Sequence, residues 1–379
     1  MDFNLTREQQ YVKQMVKEFV ENEIKPIAAE TDATGEFPME VYKKLGKYGI
    51  IGLPYPKEYG GTGGDYLSYI LAVEEISKAC GTLGISYSVN TSLCCGAIYQ
   101  NGTEEQKKKY LPDLCSGKKI GSFGLTEPNA GTDASGAQTV AVKDGDNYIL
   151  NGQKCFITNS PLAETFVIFA ITDRSKGTKG ISAFIVEKDF PGISIGKIED
   201  KMGIRGAQVG EIILEDCVVP AENLLGKEGR GFGIAMKTLD GGRIGVAAQG
   251  LGLAEGAFDA AREYMKERKQ FGKQLYKFQG IAWRMADMDV RIEQSRYLLY
   301  QAAMDKNNGN PYSVSAARAK LSCTDTAMYV TTEAVQLFGG YGYIKDYPVE
   351  RMMRDAKITQ IYEGTNEVQR MVISGSIFR

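Results

Sequence analysis

The sequence predicts an α+β chain in three parts: helical over residues 1–117, β over residues 118–226 and helical over residues 227–379. Two observations predict this order. Apolar residues recur with helical spacing in the first and last parts, and short apolar or alternating runs between turn residues fill the middle part. A length of 379 residues is ample for two or three sub-domains that share a large core.

The first helical part opens with a capping box. Thr6 is a plausible N-cap, and Gln9 stands three residues on, where its side chain can return to the cap. One apolar helix face follows, formed by Val12, Met15, Val16, Phe19 and Val20. The glycine-rich segment 60–64 interrupts the pattern and is interpreted as a flexible connection. Helical spacing then resumes with Tyr69, Ile70, Val73 and Ile76.

The middle part begins with a predicted hairpin. Residues 139–142 and 148–150 alternate as strands do, and the turn residues 144–146 separate them. Further short strands are predicted at residues 166–172, 181–187 and 211–214. Several short strands spaced in this way favour a barrel or a small sandwich.

The last part contains two long predicted helices. The second extends from about Ser315 to Phe338 and stops at Gly339 and Gly340, since glycine readily takes a left-handed conformation. The first carries a single apolar stripe, formed by Ile281, Met285, Met288, Ile292, Leu299 and Ala302.

Composition excludes several classes of function. The chain has no histidine, so Ser-His-Asp and Cys-His catalysis and histidine-ligated metals are excluded. Acid–base chemistry must therefore use a carboxylate, lysine, tyrosine or cysteine. A net charge of -2 gives no long-range attraction for nucleic acid or anionic membranes.

The cysteines, the N-terminus and the apolar runs indicate the cellular compartment. Seven cysteines without CxxC spacing argue against a disulfide framework or a zinc site and suit a reducing compartment. The N-terminus shows no secretory signal, and the run 166–171 is too short to span a bilayer. We therefore expect a cytoplasmic protein.

Three of six notable segments lie before residue 245. Segment 125–133 (LTEPNAGTD) offers hydroxyls and backbone donors that suit the polar edge of a planar heterocycle, although it could be a plain connecting loop. Segment 154–159 (KCFITN) places an aromatic and a hydroxyl at a strand end, as many strands do. Segment 239–243 (LDGGR) supplies an acid and an arginine that could hold a polar ligand or form a surface pair at a helix start.

The other three segments lie in the last part. Segment 267–273 (ERKQFGK), with Gln279 downstream, suits a pyrophosphate beside an aromatic system, or is a solvated basic face. Segment 336–343 (QLFGGYGY) lets phosphates approach the backbone, or is a helix C-cap. Segment 361–367 (IYEGTNE) places Glu363 between Tyr and Gly, where a carboxylate could act as a partly desolvated base.

Together, in this order and at these distances, the six segments resemble the acyl-CoA dehydrogenase family over essentially the whole chain. The opening residues 1–6 (MDFNLT) are similar to those of the bacterial short-chain, butyryl-CoA-type members. The resemblance implies an N-terminal helical domain, a central β-barrel domain and a C-terminal four-helix-bundle domain with FAD between the last two. It also implies a homotetramer whose subunits complete one another's flavin sites, and an electron-transferring flavoprotein as partner.

The resemblance assigns roles residue by residue. Glu363 matches the catalytic base of short- and medium-chain members. Long-chain and isovaleryl-type members carry that carboxylate near position 242, and the glycine found there in this sequence favours Glu363. Asp240, Arg243, Gly364 and Thr132 are expected at the acyl-CoA substrate. Residues expected at the flavin of the same subunit are Leu125, Thr126, Gly131, Thr132, Phe156, Ile157, Thr158, Thr365, Asn366 and Glu367; Phe156 replaces the tryptophan of many members. Residues expected to reach the neighbour's FAD are Arg268, Phe271, Gln279, Gln336, Leu337, Phe338, Gly339 and Gly340.

The resemblance leaves alternatives open. The direction can be dehydrogenation of an acyl-CoA or reduction of an enoyl-CoA, and an aryl-acrylyl ester of the caffeyl-CoA type is the second choice of substrate after butyryl/crotonyl-CoA. An acyl-CoA oxidase of the same fold is a further alternative, although such oxidases are usually longer. A non-catalytic helical assembly protein is the alternative outside enzymes, and retention of Glu363 argues against it.

Overall fold

The computed structural model describes residues 4–378, so the first three residues of the family-like opening and Arg379 lie outside the described part. Residue Thr6 caps the first helix, and the predicted capping box is confirmed: Gln9 N–H donates to Thr6 Oγ1 at 3.2 Å and Thr6 N–H donates to Gln9 Oε1 at 2.9 Å. The N-terminal helices are α1 (Arg7–Phe19), α2 (Ala28–Thr34), α3 (Met39–Lys47), α4 (Tyr66–Ala79), α5 (Gly81–Ser88), α6 (Gly96–Asn101) and α7 (Glu104–Cys115).

The glycine-rich segment 60–64 is a packed turn, so the expectation of a flexible connection is wrong. Backbone hydrogen bonds join it to the preceding segment, from Thr62 to Gly52, from Gly63 to Tyr55 and from Gly64 to Leu53. A Cβ atom on Gly61 would lie 2.0 Å from the carbonyl oxygen of Tyr55. Glycine is required there because two backbone segments touch.

The middle part is one eight-stranded sheet in the order β6-β7-β3-β2-β4-β5-β8, with β1 paired in parallel to β4. The predicted hairpin is confirmed as β2 and β3, which join through a turn with Gly145 at φ +56°. Strand β3 runs beyond the prediction to Thr158, and β7 is also longer, because bulges let both strands continue. The strands are β1 (Gly121–Gly124), β2 (Val140–Asp144), β3 (Asn147–Thr158), β4 (Thr165–Ile171), β5 (Ile181–Glu187), β6 (Ile193–Ile198), β7 (Val209–Pro220) and β8 (Leu224–Leu225).

The last part returns to helices, as predicted. On α9 the predicted stripe is confirmed, because Met288, Ile292, Leu299 and Ala302 are buried. Gly339 ends α10 with φ +63°. The elements are α8 (Gly231–Glu267), a small hairpin of β9 (Lys269–Gln270) and β10 (Lys273–Gln274), α9 (Gln279–Asn307), α10 (Ser313–Phe338), α11 (Val349–Thr359) and α12 (Asn366–Ile377).

Helix α8 lies at the centre of the molecule. Its residues Ile244 to Met265 share the largest apolar core with α1, α4, α9 and α10, and its beginning joins a second core with α6, α7 and the sheet. A third core lies inside the sheet. Across residues 4–378 no helix is both long and apolar enough to cross a membrane.

One arginine joins all three parts of the chain. Arg354 on α11 forms paired bonds to Asp32 of α2, at 2.6 and 2.9 Å, and to Glu350 on its own helix, at 2.7 and 2.8 Å. It also donates to the carbonyl oxygen of Met202, which follows β6, at 3.1 Å. Because the guanidinium fork meets two carboxylates in fixed geometry, Arg354 holds the N-terminal helices, the sheet and the last helices in register.

We expect Arg354→Met to lower the free energy of unfolding by roughly 3 kcal/mol, since it leaves two partly buried carboxylates without a partner. Chemical denaturation followed by circular dichroism would measure this. Arg262→Gln is the matched control, because Arg262 pairs with Asp259 and Glu263 at the surface, where such pairs contribute about 1 kcal/mol or less. Equal effects of the two substitutions would contradict the role given to Arg354.

Candidate active site

Glu363 lies in a short loop between α11 and α12 with a strained backbone. It is one of six non-glycine residues with positive φ in the described part of the chain, at +53°, and Gly364 follows at +91°. The Tyr362 hydroxyl donates to the side-chain oxygen of Gln249 on α8, and the Gln369 amide donates to the carbonyl oxygen of Gly364 at 2.7 Å. Strain held by surrounding contacts is a frequent feature of functional sites.

The carboxylate of Glu363 is buried without a hydrogen bond. The residue as a whole is only partly buried, but both carboxylate oxygens are inaccessible and have no hydrogen-bond partner among the residues described. Loss of solvation raises its pKa from an ordinary 4.5 to about 7, and the charges of Lys320 and Arg243 act in the opposite direction. A carboxyl group with such a pKa can accept and release a proton near neutral pH.

Gly242 on α8 provides the space for this carboxylate. A Cβ atom at position 242 would lie 2.0 Å from Glu363 Oε2 and 2.6 Å from Leu93 Cδ2. Any larger residue must therefore displace the carboxylate. The sequence argument that glycine at 242 favours Glu363 as the base stays a prediction, although it concerns two residues that lie in contact.

Asp240 and Arg243 lie inside α8, so the alternative of a surface pair at a helix start is wrong. The helix begins at Gly231, and Arg243 is 7% exposed. Its Nη1 donates to Asp240 Oδ1 at 2.6 Å, while its Nε has no partner among the described residues. A Cβ atom on Gly364 would lie 3.7 Å from Arg243 Nη2, so this arginine borders the Glu363 loop.

Lys320 is a residue of the site that the sequence reasoning missed. Its fully buried ammonium group donates to Asn366 Oδ1 at 2.8 Å. Burial lowers its pKa to about 7, and the negative charge of Glu363 opposes that shift. The signal was available, because positions 316, 320, 323 and 327 form one buried stripe of α10 and lysine is out of place on it.

Asn366 and Thr365 serve the start of α12. Thr365 is the N-cap and accepts from Val368 N–H at 3.4 Å. The Asn366 side chain is buried and fully engaged with α10, so a flavin could meet only its backbone. Glu367 points outward, and its own backbone N–H and the Thr365 hydroxyl lower its pKa. It therefore lacks the desolvation that distinguishes Glu363.

The segments 125–133 and 154–158 are held side by side. Lys154 is fully buried and pairs with buried Glu127 at 2.7 Å, and Cys155 N–H donates to Thr126 O at 3.0 Å. Glu127 also accepts from the backbone N–H groups of Gln138 and Thr139. The sequence reasoning missed this ion pair, which fixes the loop that carries Thr126, Gly131 and Thr132.

The segments 125–133 and 154–158 form a surface on which the Phe156 ring is exposed, the Phe156 surface. Phe156 has φ +56° at a bulge of β3 and is 65% exposed, whereas the side chain of Ile157 is buried in the sheet. Ile157 can therefore offer a ligand only backbone groups. Leu125 and Thr158 are partly buried beside it, and Gly131 and Thr132 are exposed. An aromatic ring held outward on a strained backbone is a feature that folding alone does not require.

A separate cleft of about 600 Å³ contains most of the remaining predicted residues. Arg268 and residues 336–340 line it, and the Arg268 guanidinium lies 5.4 Å from the centre of the Tyr341 ring. Phe271 is 94% exposed at the tip of the β9–β10 hairpin, and Gln279 begins α9. Among the described residues, no hydrogen bond, ion pair or ring contact joins this cleft to the Phe156 surface.

Three family models match the chain in succession. They are the N-terminal, middle and C-terminal domains of acyl-CoA dehydrogenase, and they match residues 6–118, 122–217 and 229–378. The chain belongs to the acyl-CoA dehydrogenase family. The three-domain fold of this family is confirmed, while the boundaries at 117/118 and 226/227 stay predictions.

Relatives and solved structures of acyl-CoA dehydrogenases cover the whole chain. The short-chain specific acyl-CoA dehydrogenase of Clostridium acetobutylicum is 69% identical over 379 residues, with all of both chains covered. The butyryl-CoA dehydrogenase structure from Megasphaera elsdenii is 55% identical, with a TM-score of 0.99 and full coverage of both chains. A chain in a structure described as the electron transferring flavoprotein of Acidaminococcus fermentans is 59% identical, with the same TM-score and coverage.

The raised pKa of Glu363 predicts a pH-dependent gain of stability in Glu363→Gln. Because the folded pKa of about 7 exceeds the ordinary 4.5, the folded chain binds more protons over this window and loses stability as pH rises through it. We expect Glu363→Gln to melt at a higher temperature than the parent at pH 8 and at the same temperature at about pH 4, below the ordinary pKa of 4.5. Scanning fluorimetry at both pH values would measure the difference.

Glu367→Gln is the matched control for this measurement. Its carboxyl pKa is lowered, so its removal should give no gain at pH 8. A gain for Glu367→Gln, or none for Glu363→Gln, would contradict the assignment of a desolvated carboxylate at position 363.

Proposed function

We propose that this chain catalyses FAD-dependent α,β-dehydrogenation of a short-chain acyl-CoA thioester, or the reverse reduction of the enoyl-CoA, with Glu363 as the base. One observation carries the proposal. The carboxylate of Glu363 is buried, has no hydrogen bond among the described residues and lies against Gly242 on a loop with positive φ. Folding has no need of such a carboxylate, whereas proton abstraction requires it.

The residues around Glu363 suit removal of a proton next to a thioester carbonyl. The desolvated carboxylate accepts the α proton, and its pKa of about 7 matches a reaction at neutral pH. Arg243 and Lys320 lie close enough to lower that pKa, so they keep a fraction of Glu363 ionised before substrate arrives. The buried surroundings of the carboxylate exclude water from the proton transfer. A place for the acyl chain beside Gly364 stays a prediction. Bound FAD would supply the acceptor for the two electrons.

The chain's surface fits FAD. Phe156 is exposed on β3, the strand that also carries Thr158, and Cys155 N–H on this strand donates to the carbonyl oxygen of Thr126. Thr132 is exposed on the loop that follows Thr126, so an aromatic face and hydroxyl groups lie on neighbouring segments, as an isoalloxazine ring requires. In the separate cleft Arg268 can pair with a pyrophosphate, and a Cβ atom on Gly339 or Gly340 would meet no neighbour within 4 Å, so phosphates can reach the backbone. A dinucleotide needs both kinds of surface.

These two surfaces support a homo-oligomer, with a tetramer as the expected form. Each surface offers only one of the two kinds of contact that a dinucleotide needs, and among the described residues no hydrogen bond, ion pair or ring contact joins them within one chain. Helix α9 also exposes large apolar side chains that a second copy would cover, among them Trp283 at 62% and Val290 at 54%. We infer that Arg268, Phe271, Gln279 and residues 336–340 serve the FAD of a neighbouring subunit.

The relatives support a short-chain substrate and a flavoprotein partner. The matched proteins of C. acetobutylicum and M. elsdenii are described as short-chain specific and butyryl-CoA enzymes, and the A. fermentans structure concerns an electron-transferring flavoprotein. Two other relatives support the reductive alternatives. They are the caffeyl-CoA reductase–Etf complex subunit of Acetobacterium woodii, 47% identical, and the NADH-dependent acryloyl-CoA reductase of Anaerotignum propionicum, 50% identical. They cover 97% and 100% of this chain and 97% and 96% of their own lengths.

Anaerobic stopped-flow mixing of the purified flavoprotein with butyryl-CoA, crotonyl-CoA and caffeyl-CoA tests the proposal. The absorbance band of the oxidised flavin should bleach with butyryl-CoA. In protein first reduced with dithionite, the same band should return when crotonyl-CoA is added. The reduced flavin should be re-oxidised faster by an electron-transferring flavoprotein than by oxygen. Reduction of the oxidised flavin by NADH should also be slower than this re-oxidation. Bleaching by none of the CoA esters would overturn the proposed function, and rapid re-oxidation by oxygen would favour the oxidase alternative.

We expect Glu363→Gln to slow flavin bleaching by at least ~10²–10⁴-fold, because glutamine keeps the shape of the side chain but cannot accept a proton. FAD content and CoA-ester binding should stay close to those of the parent. Absorbance after anaerobic mixing gives the rate. Glu367→Gln, on the exposed first turn of α12, should bleach within a factor of roughly ten of the parent. The opposite pattern would move the base to Glu367.

Arg268→Ala should weaken FAD retention and loosen the oligomer together, since an arginine–phosphate contact contributes roughly 1.5–3 kcal/mol. Absorbance ratios at 280 and about 450 nm and size-exclusion chromatography with light scattering would follow both properties. Arg262→Gln is again the control, because that arginine forms only surface ion pairs in the described structure. Full FAD content with an unchanged oligomer would refute the cross-subunit assignment.

A further inference from the structure

In the part of the chain that the structure describes, no hydrogen bond of its own fixes the position of the Glu363 carboxylate. Neither of its oxygens has a hydrogen-bond partner among the described residues, and its backbone has φ +53°. A glutamate carboxylate without hydrogen bonds keeps its orientation only if its backbone is held in place, and a base displaced by about 1 Å loses roughly 10²-fold in rate. The loop 360–366 must therefore be held by residues outside it.

Both ends of this loop are tied to one oxygen of Asp325 on α10. Gln360 Nε2 and Asn366 Nδ2 each donate to Asp325 Oδ1 at 2.7 Å. A backbone hydrogen bond also joins the two ends of the loop, because Asn366 N–H donates to the Gln360 carbonyl oxygen at 3.0 Å. Two short bonds to an ionised acceptor are stronger than bonds between neutral groups, so Asp325 fixes where the loop leaves α11 and enters α12.

The same hydrogen bonds orient the buried ammonium group of Lys320, which lies near Glu363. Asn366 donates to Asp325 through its amide nitrogen, and this turns its Oδ1 toward Lys320 Nζ at 2.8 Å and Thr324 Oγ1 at 3.1 Å. Lys320 lies close enough to Glu363 for each charge to shift the pKa of the other. Asp325 thus acts on the loop and on Lys320 through one side chain.

The other oxygen of Asp325 faces outward. Oδ2 pairs with Arg370 at 3.2 Å, and both side chains are well exposed, at 41% and 55%. Such an exposed pair contributes little to stability. The inward and outward functions of Asp325 can therefore be separated by substitution.

We propose that Asp325 is a positioning residue for the base: it clamps both ends of the loop 360–366 and so holds the Glu363 carboxylate against Gly242 and beside Lys320. This inference rests on the proposed function of Glu363. In the described structure Asp325 forms no hydrogen bond to Glu363; it acts on the loop through Gln360 and Asn366, and its charge also acts against the lowering of the Lys320 pKa by burial.

Four variants of the flavin-loaded oligomer test the clamp. Asp325→Ala removes the acceptor, whereas Asp325→Asn removes the charge but keeps an oxygen that can accept from both amides. Gln360→Met removes one of the two donors at similar volume. Arg370→Gln removes the outward ion pair with Asp325 and a longer exposed pair with Glu367 at 3.9 Å, leaves both amide bonds to Asp325 Oδ1 in place, and serves as the matched control.

The decisive readout is exchange of the α hydrogen of butyryl-CoA for deuterium in D₂O, followed by mass spectrometry. Exchange requires the base but no electron acceptor. Steady-state turnover with an electron-transferring flavoprotein gives kcat and KM, and FAD content and melting temperature are recorded for every variant. We expect Asp325→Ala to lose roughly 10- to 100-fold in exchange rate and in kcat, with KM and FAD content changed less than about threefold.

The variants should rank in one order. Asp325→Asn should recover to within roughly tenfold of the parent, Gln360→Met should fall between the parent and Asp325→Ala, and Arg370→Gln should match the parent. If Asp325→Ala does not fold, the deficit of Gln360→Met carries the test. Parental exchange rates in Asp325→Ala, or in Gln360→Met when only that variant folds, would overturn the clamp and leave the proposed function intact. Absence of flavin bleaching in the parent protein with all of the CoA esters would overturn the proposed function itself.

Discussion

The burial of one carboxylate without a hydrogen bond is the constraint on which the rest of this site depends. Desolvation of an ionised carboxyl group is costly, and it raises the pKa of Glu363 to about 7. The buried cations of Lys320 and Arg243 offset part of that cost without forming a direct bond to it. The structure must also leave room for the carboxylate beside Gly242 and hold the loop at positive φ. Each of these features would be unnecessary if Glu363 were an ordinary surface residue.

Helix α8 connects this constraint to the fold. It carries Gly242 and Arg243 to the site, and it shares the main core with α4 and α10. Helix α10 supplies Lys320 and Asp325 from one side, while Arg354 on α11 holds the loop's own helix against α2 and the segment after the sheet. The Glu363 loop is therefore placed by contacts from every part of the chain.

The cofactor surfaces follow a different principle. Glu363 is enclosed by its own chain, whereas Phe156 and Phe271 are held outward on strained backbone, and Arg268 lies in an open cleft. Exposed aromatic rings and an arginine beside glycines are costly for an isolated subunit and useful to a ligand shared with another subunit. The proposed sharing of one FAD between two subunits would account for both surfaces at once.

The sequence by itself determined the order of helical and β parts, the capping box at Thr6, the α9 stripe and the motif that singles out Glu363, because each depends on spacing along the chain. The packed turn at 60–64, the place of Asp240 and Arg243 inside α8 and the Glu127–Lys154 pair were decided only by the tertiary structure. So were the burial of Lys320 beside the base and the grip of Asp325 on both ends of its loop. Such features depend on which residues distant in sequence exclude water together, and local periodicity carries no information about that. A carboxylate can be recognised from its neighbours in sequence, but its pKa and position are set by neighbours in space.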